Sequence, residues 1–98
     1  MTKPVERYLE RPEGGLSKID IHTAEHALYL MGDQENGLRP GDFTTALWQL
    51  MCHADMMNLA RLLEAFPALG EAFEVGMRSL WGFEWMRNAV LDAQAAHV

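Results

Sequence analysis

The stretch that decides the fold is GLRPGDFTTALWQLMCHADMMNLARLLEAFP, residues 37–67. The Pro40-Gly41 pair predicts a turn, because proline cannot continue a helix and glycine tolerates positive φ. A helix over about 42–54 follows, with Asp42 as its expected cap, or with Pro40 in its first turn instead. Apolar residues at helical spacing form the core face that we expect for this helix: Phe43, Ala46, Leu47, Leu50 and Ala54.

The second half of the stretch predicts a further helix over about 56–66. Asp55 precedes it as an N-cap, and the amide of Asn58 is placed to reach back toward that cap. Glu64 is the one partner for Arg61 at helical spacing. Pro67 either breaks this helix or begins the next. The core stripe that we expect consists of Leu59, Leu62, Leu63 and Phe66.

Helices are also predicted on both sides of this stretch. The first covers about 20–35 and is capped by Asp20 or Thr23. Another covers about 68–81, and Gly82 separates it from a last helix near 83–95. The residues expected to point inward are Ala24, Ala27, Leu28 and Met31 in the first of these helices, and Leu69, Ala72, Phe73, Gly76, Met77 and Leu80 in the second.

These patterns predict an all-α protein, a small bundle of four to five short helices with an irregular N-terminal arm. Residues 1–18 form the arm, since prolines and glycines interrupt every periodicity there, and residues 19–98 form a single helical domain. No strand-like alternation longer than four residues is present. Connections of about 2–8 residues are typical of such bundles.

The residues from Gly37 to Pro67 resemble a pattern found in small helical proteins of actinobacteria and their phages. The shared features are the Pro40-Gly41-Asp42-Phe43 turn, the Ala46-Leu47 pair, Ala54-Asp55 with Asn58, Arg61-Leu62 and Phe66-Pro67. Those proteins more often have Ser where Asp42 stands here. The resemblance covers about a third of the chain. It implies a helical fold and a phage-related genomic setting, and it adds no catalytic residue.

Composition excludes several classes of function. The net charge is −6, and both halves of the chain are acidic, so we expect no nucleic-acid partner. No apolar run reaches the roughly 20 residues of a membrane span, and no basic-then-apolar leader opens the chain. The single cysteine, Cys52, predicts a buried structural thiol and fits a reducing compartment. We therefore expect a cytoplasmic protein without membrane contact.

The sharpest chemical motif is His22-Thr23-Ala24-Glu25-His26, which matches the inverted zinc motif H-x-x-E-H. It resembles the zinc-binding segment of the S-ribosylhomocysteine lyase family over six residues from Ile21, but the family's downstream Cys-Gly-x-Ala motif is absent. Helix geometry places both histidines opposite the apolar stripe, facing solvent. His53 can add a ligand only if the first two helices expose adjoining faces. We therefore expect no cofactor.

Catalysis by a nucleophile and direct DNA binding are both disfavoured. Cys52 and His53 are neighbours on a helix and point about 100° apart, so they do not form a dyad. A helix-turn-helix is one interpretation of the first two helices. Its recognition helix, residues 42–54, contains no Lys or Arg to contact phosphates or bases.

Large apolar residues that lie off their helices' core stripes have two interpretations. Trp48 lies about 140° from Phe43 and Met57 about 160° from Leu59, while Trp85 lies off the stripe of the last helix. Either inner helices are covered on two sides, or these residues form an exposed patch for a partner.

The function predicted is a non-catalytic protein–protein interaction module, an accessory protein of a phage or mobile element that binds a host or phage protein. The partner is another protein or a second copy of the chain. Trp85, Trp48, Met57 and Trp81 are the expected anchors; Trp85 makes the main contact, and Trp81 packs in the core as well. One alternative is a small metalloprotein using His22, Glu25 and His26. Another is a transcription-associated regulator that acts through protein contacts.

Overall fold

A short hairpin precedes five helices in the structure, a computed structural model that describes residues 8–96. The hairpin pairs two antiparallel strands. The elements in chain order are β1 (Tyr8–Glu10), β2 (Leu16–Asp20), α1 (Ile21–Leu30), α2 (Asp42–His53), α3 (Met56–Ala65), α4 (Pro67–Arg78) and α5 (Gly82–Ala95).

Most of the predicted helix boundaries are confirmed, because capping is local. Asp20 caps α1 by accepting from the Thr23 N–H at 2.6 Å. Asp55 caps α3 in the same way, and Pro67 begins α4. The prediction for Asp42 is wrong: Gly41 is the N-cap of α2 without a side-chain bond, and Asp42 lies in the first turn.

Helix α4 is the centre of the bundle, since it packs against β2 and against each of the other four helices. Its Gly76 allows this close approach. A Cβ there would lie 2.7 Å from the sulfur of Met31, the C-cap of α1, and 2.9 Å from the terminal methyl of Met86 in α5. The fully buried residues Leu28 and Val90 extend the same core.

The prediction of an irregular arm over residues 1–18 is wrong from residue 8 onward, and the protein is not strictly all-α. Leu9, Ser17 and Ile19 are buried on the inner face of the hairpin. Strands of three and five residues, with an irregular register between them, give too short an alternation to identify from sequence. Residues 1–7 of the predicted arm lie outside the described part of the chain.

The hairpin is fixed to the helices by long-range polar contacts. The Glu71 carboxylate in α4 pairs with the Arg11 guanidinium and accepts the Lys18 backbone N–H at 2.9 Å. This pairing also holds the pKa of Arg11 above its usual value. From α5, the Trp85 Nε1–H donates to the Glu10 carbonyl at 2.9 Å.

Helix α2 turns a different face to the core from the predicted one. Its buried residues are Leu47, Trp48 and Met51, and the Trp48 ring packs edge-on against Phe73 with centroids 5.2 Å apart. The side of α2 that faces the core is therefore rotated by about 80° around the helix axis from the side that was predicted. Phe43 and Leu50, both predicted as core, are 68% and 54% exposed.

Several further predictions are wrong. Helix α1 ends at Leu30 instead of near residue 35. Met77, in the last turn of α4, is exposed instead of packing inward, and so is Leu80, which lies beyond the end of α4 at Arg78. Cys52 is exposed as well, although a buried thiol was expected. Arg61 donates to the Asn58 side chain at 3.1 Å and makes no ion pair with Glu64 within residues 8–96.

Candidate interaction surface

Helix α2 has an outward face whose side chains follow a coiled-coil spacing. Phe43, Ala46, Leu50 and His53 are all exposed. They are separated by three, four and three residues, which is the spacing of the a and d positions of a heptad. This row, the α2 seam, lies on the side of α2 away from Trp48. The helix is therefore apolar on two sides, one packed in the core and one open.

A groove runs beside the α2 seam, between α2 and α3. At one end lies a cavity of about 330 Å³, where the rings of Phe43 and Phe66 have centroids 5.9 Å apart. A second cavity of about 330 Å³ lies at the other end, lined by Leu50 and Leu62 among others. Each helix contributes to both cavities from residues about one turn apart. These residues are Leu47 and Leu50 in α2, and Leu62 in α3 with Phe66 at its C-cap.

The surface around the α2 seam is free of formal charge over a long stretch. Residues 43–54 contain no Asp, Glu, Lys or Arg, and no other stretch of the chain without these residue types is as long. At the α3 edge, the Asp55 carboxylate accepts from the Asn58 N–H at 2.8 Å and from its side-chain amide at 3.2 Å. The groove is thus apolar along α2, and two charged groups at its α3 edge, Asp55 and Arg61, are hydrogen-bonded to Asn58.

The predicted anchors are distributed over three different parts of the molecule. Trp48 is only 4% exposed, so its assignment to a partner-binding surface is wrong. Met57 is 71% exposed, but it lies about 160° from the buried Leu59, on the outer face of α3. Trp81 and Trp85 pack edge-on with centroids 5.5 Å apart, near the hairpin.

The order of exposure expected within the tryptophan pair is reversed. Trp81, expected in the core, is 42% exposed. Trp85 is partly buried, packs against the core and donates its indole N–H to Glu10. Its ring therefore closes the hairpin against α5 and has less surface to offer a partner than was expected.

The histidine motif lies on α1 and does not gather a third ligand. The rings of His22 and His26 have centroids 4.2 Å apart, and His22 lies 3.8 Å from the Glu25 carboxylate. No group of three His, Cys, Asp or Glu side chains within residues 8–96 is placed to hold a metal ion.

The two histidines differ in environment. His22 is exposed, as expected, whereas His26 is partly buried beside the Phe43 end of the groove. Burial lowers the pKa of His26 below its usual value, and neighbouring His22 lowers it further, while Asp20 acts in the opposite direction. The His26 imidazole beside the groove therefore favours its uncharged form at pH 7.

A further cavity is a cleft of about 670 Å³ beside the hairpin, lined by several charged residues. Both of its carboxylates already have cationic partners: Glu71 pairs with Arg11, and Glu74 pairs with Arg78 at 3.0 Å. The first pair joins the hairpin to α4, and the second links two residues that are one turn apart within α4. The cleft is therefore explained by the packing of the hairpin.

Comparison with known proteins identifies no relative, since no family model, curated protein or solved structure matches the chain. Among residues 8–96, no helix is long and apolar enough to cross a membrane. Sequence reasoning missed the α2 seam because Phe43, Ala46 and Leu50 were assigned to the core. The absence of charge from residues 43–54 is the signal that could have shown that α2 has an apolar outer face in addition to its core face.

Proposed function

We propose that this protein is a non-catalytic protein–protein interaction module and that the α2–α3 groove is its binding surface. The observation that carries the proposal is the exposed apolar row along α2, within residues 43–54 that carry no formal charge, with Phe43 and Leu50 more than half exposed. Exposed apolar surface of this kind is typical of binding sites. Met57 and Trp81 remain accessible as additional contacts outside the groove.

The wider role follows from the resemblance of residues 37–67 to phage-related helical proteins. In that setting, the module is a cytoplasmic accessory protein of a phage or mobile element that acts by binding a protein. A metalloprotein function has less support, because His22, Glu25 and His26 do not form a group placed to hold a metal ion, and no other such group lies among the described residues. Nothing in the structure specifically favours a transcription-associated role.

A comparative capture experiment tests the proposal. The immobilised wild-type chain and two variants, Phe43→Asp and Leu80→Asp, are incubated with an actinobacterial lysate, and the retained proteins are identified by mass spectrometry. Leu80 is the matched control because it is fully exposed and remote from the groove in sequence. We expect a protein, or further copies of the chain, to be retained by wild type and Leu80→Asp and lost with Phe43→Asp.

Identical retention by all three chains, with no self-association of the wild type, would contradict the proposal. A partner lost with Leu80→Asp and kept with Phe43→Asp would move the binding surface to the turn between α4 and α5. Circular dichroism of each variant shows that a loss of binding does not reflect unfolding.

A further inference from the structure

We propose that the Asn36-Gly37 pair, in the connection between α1 and α2, is a site of spontaneous covalent modification that Asp33 protects in the folded chain. The modification is deamidation, in which water converts the Asn36 side chain to a carboxylate and ammonia is released. The proposal concerns the α1–α2 connection and is independent of the α2–α3 groove.

The sequence makes Asn36 the most reactive asparagine of the unfolded chain. It is the only asparagine that precedes a glycine. Deamidation begins when the backbone nitrogen of the following residue, after losing its proton to hydroxide, attacks the asparagine side-chain carbon Cγ. Gly37 has no Cβ to obstruct this attack, and an unfolded glycine reaches backbone conformations that other residues rarely adopt. Asn58 and Asn88 are followed by residues whose side chains hinder the same approach.

The reaction needs only water and base. The Gly37 nitrogen forms a bond to Asn36 Cγ, the bond from Cγ to the side-chain nitrogen breaks, and that nitrogen takes a proton from water and leaves as ammonia. Water then opens the resulting five-membered imide. Opening at the side-chain carbonyl gives aspartate, whereas opening at the backbone carbonyl gives isoaspartate, whose backbone runs through Cγ and is one carbon longer.

In the folded chain, Asp33 engages both reacting groups. Its backbone carbonyl accepts the Gly37 N–H at 2.9 Å, so the proton that must be lost is held in a hydrogen bond. Its carboxylate accepts the Asn36 side-chain amide at 3.1 Å and the Asn36 backbone N–H at 3.1 Å. A negative charge this close to the pair also opposes the anionic nitrogen that starts the reaction. We call these contacts the Asp33 clasp.

The Asp33 clasp keeps its charge under the conditions that promote deamidation. Partial burial alone raises the pKa of Asp33, but hydrogen bonds from Asn36 and the positive charge of Arg87 outweigh burial and lower this pKa below its usual value. The carboxylate is therefore ionised at neutral and mildly alkaline pH, where hydroxide is most available to remove the Gly37 proton.

Neither product of the reaction fits the folded turn. Gly37 lies directly against α1, since a Cβ there would be 2.7 Å from the Tyr29 Cα and 2.6 Å from the Asp33 carbonyl oxygen, so the longer backbone of isoaspartate has no space. An aspartate at position 36 sets a second carboxylate against Asp33. The next residue, Leu38, donates its N–H to the Glu25 carbonyl at 3.0 Å. Either product therefore weakens the attachment of this connection to α1.

Peptide mapping by mass spectrometry of the full chain in mildly alkaline buffer tests the proposal. Asn36 should persist in the folded wild type and be converted in urea, ahead of Asn58 and Asn88. Asp33→Ala should accelerate the conversion in the absence of urea by at least about tenfold, the factor that corresponds to a lost hydrogen bond to a charged group. Glu35→Ala is the matched control, because it removes an equal charge from the same turn and leaves the Asp33 clasp in place.

Two further variants separate the Asp33 clasp from the stability of the whole fold. Trp48→Ala should destabilise the core without touching the clasp, so it should convert Asn36 more slowly than Asp33→Ala does while both are folded by circular dichroism. Asn36→Asp reproduces one product and should lower the urea midpoint. Asn88→Asp adds the same charge at an exposed position and should leave the midpoint unchanged.

Three results would overturn the proposal. The first is conversion of Asn36 at the same rate in the folded wild type and in urea. The second is an equal rate in Asp33→Ala and Glu35→Ala. The third is faster conversion in folded Trp48→Ala than in Asp33→Ala, which would assign the protection to the core instead of the Asp33 clasp.

Discussion

At the scale of single residues, Trp48 and Phe43 have exchanged the roles that helical periodicity assigns them. Both are aromatic residues of α2, about 140° apart around the helix. The Trp48 ring lies in the core against Phe73, whereas Phe43 is 68% exposed and touches Phe66 at the edge of the groove. One aromatic ring of α2 therefore packs in the core, and the other lies mostly at the surface of the same helix.

Replacing each aromatic residue by alanine should distinguish these roles. Trp48→Ala should lower the free energy of unfolding by about 3–5 kcal/mol, because it leaves a cavity beside Phe73. Phe43→Ala should lower it by less than about 1 kcal/mol, since most of the ring is already in water. Urea denaturation followed by circular dichroism measures both. A larger loss for Phe43→Ala than for Trp48→Ala would mean that α2 packs through its predicted face.

At the scale of secondary-structure elements, the start of α3 is determined by a compact set of polar contacts. Asp55 accepts from both the backbone and side-chain amides of Asn58, and Arg61 donates to the side-chain oxygen Oδ1 of Asn58. Since the α2–α3 connection is very short, this cap also fixes the angle between the two helices that border the groove.

Removing the cap should destabilise the protein. Asp55→Ala is expected to lower the free energy of unfolding by about 0.5–2 kcal/mol, the usual cost of a lost N-cap. Asp42→Ala is the matched control, because Asp42 lies in the first turn of α2 and caps nothing. It should cost about 0.3–1 kcal/mol at most, through the helix dipole. Comparable losses in a denaturant titration would show that the Asp55 contact is not the main determinant of the start of α3.

The elements that could be predicted from sequence are those fixed by neighbouring residues. The caps Asp20 and Asp55 and the break at Pro67 depend on contacts within one helical turn, so the sequence identifies them. The inner face of α2 depends on which apolar side meets α4. With Phe43 on one side and Trp48 on the other, periodicity alone cannot decide between them.

The site was missed for the same reason, and the hairpin for a related one. An exposed apolar row looks like a core stripe when the partner helix is unknown, so the α2 seam was assigned to the interior. The hairpin depends on Glu71 and Trp85, which lie more than fifty residues away in sequence. No local pattern reports such contacts.

At the scale of the whole molecule, Glu71 connects the hairpin to the central helix. Its side chain is only 12% exposed and holds both the Arg11 guanidinium and the Lys18 N–H. An isolated two-stranded hairpin is marginally stable in water. These contacts, with the burial of Leu9 and Ile19, therefore account for the ordered position of β1 and β2 on the bundle.

Two substitutions should separate the contributions of Glu71. Glu71→Ala removes the ion pair and leaves the Lys18 N–H without its acceptor, so it should cost about 1.5–3 kcal/mol of unfolding free energy. Glu71→Gln retains an acceptor oxygen and should cost less. Glu74→Ala removes an exposed pair with Arg78 and should cost at most about 1 kcal/mol. Hydrogen exchange of the Lys18 amide should accelerate most in Glu71→Ala; unchanged exchange there would contradict this role.

The hydrogen bond between Trp85 and Glu10 also bears on the order in which the chain can fold during synthesis. The two residues are separated by 75 positions, which take about 4–15 s to translate at roughly 5–20 residues per second. Throughout that interval, the residues of the hairpin have been synthesised and the helix that donates this hydrogen bond has not. The contact between α5 and the hairpin therefore forms late in synthesis, and a chain truncated before α5 leaves the Glu10 carbonyl without its indole donor.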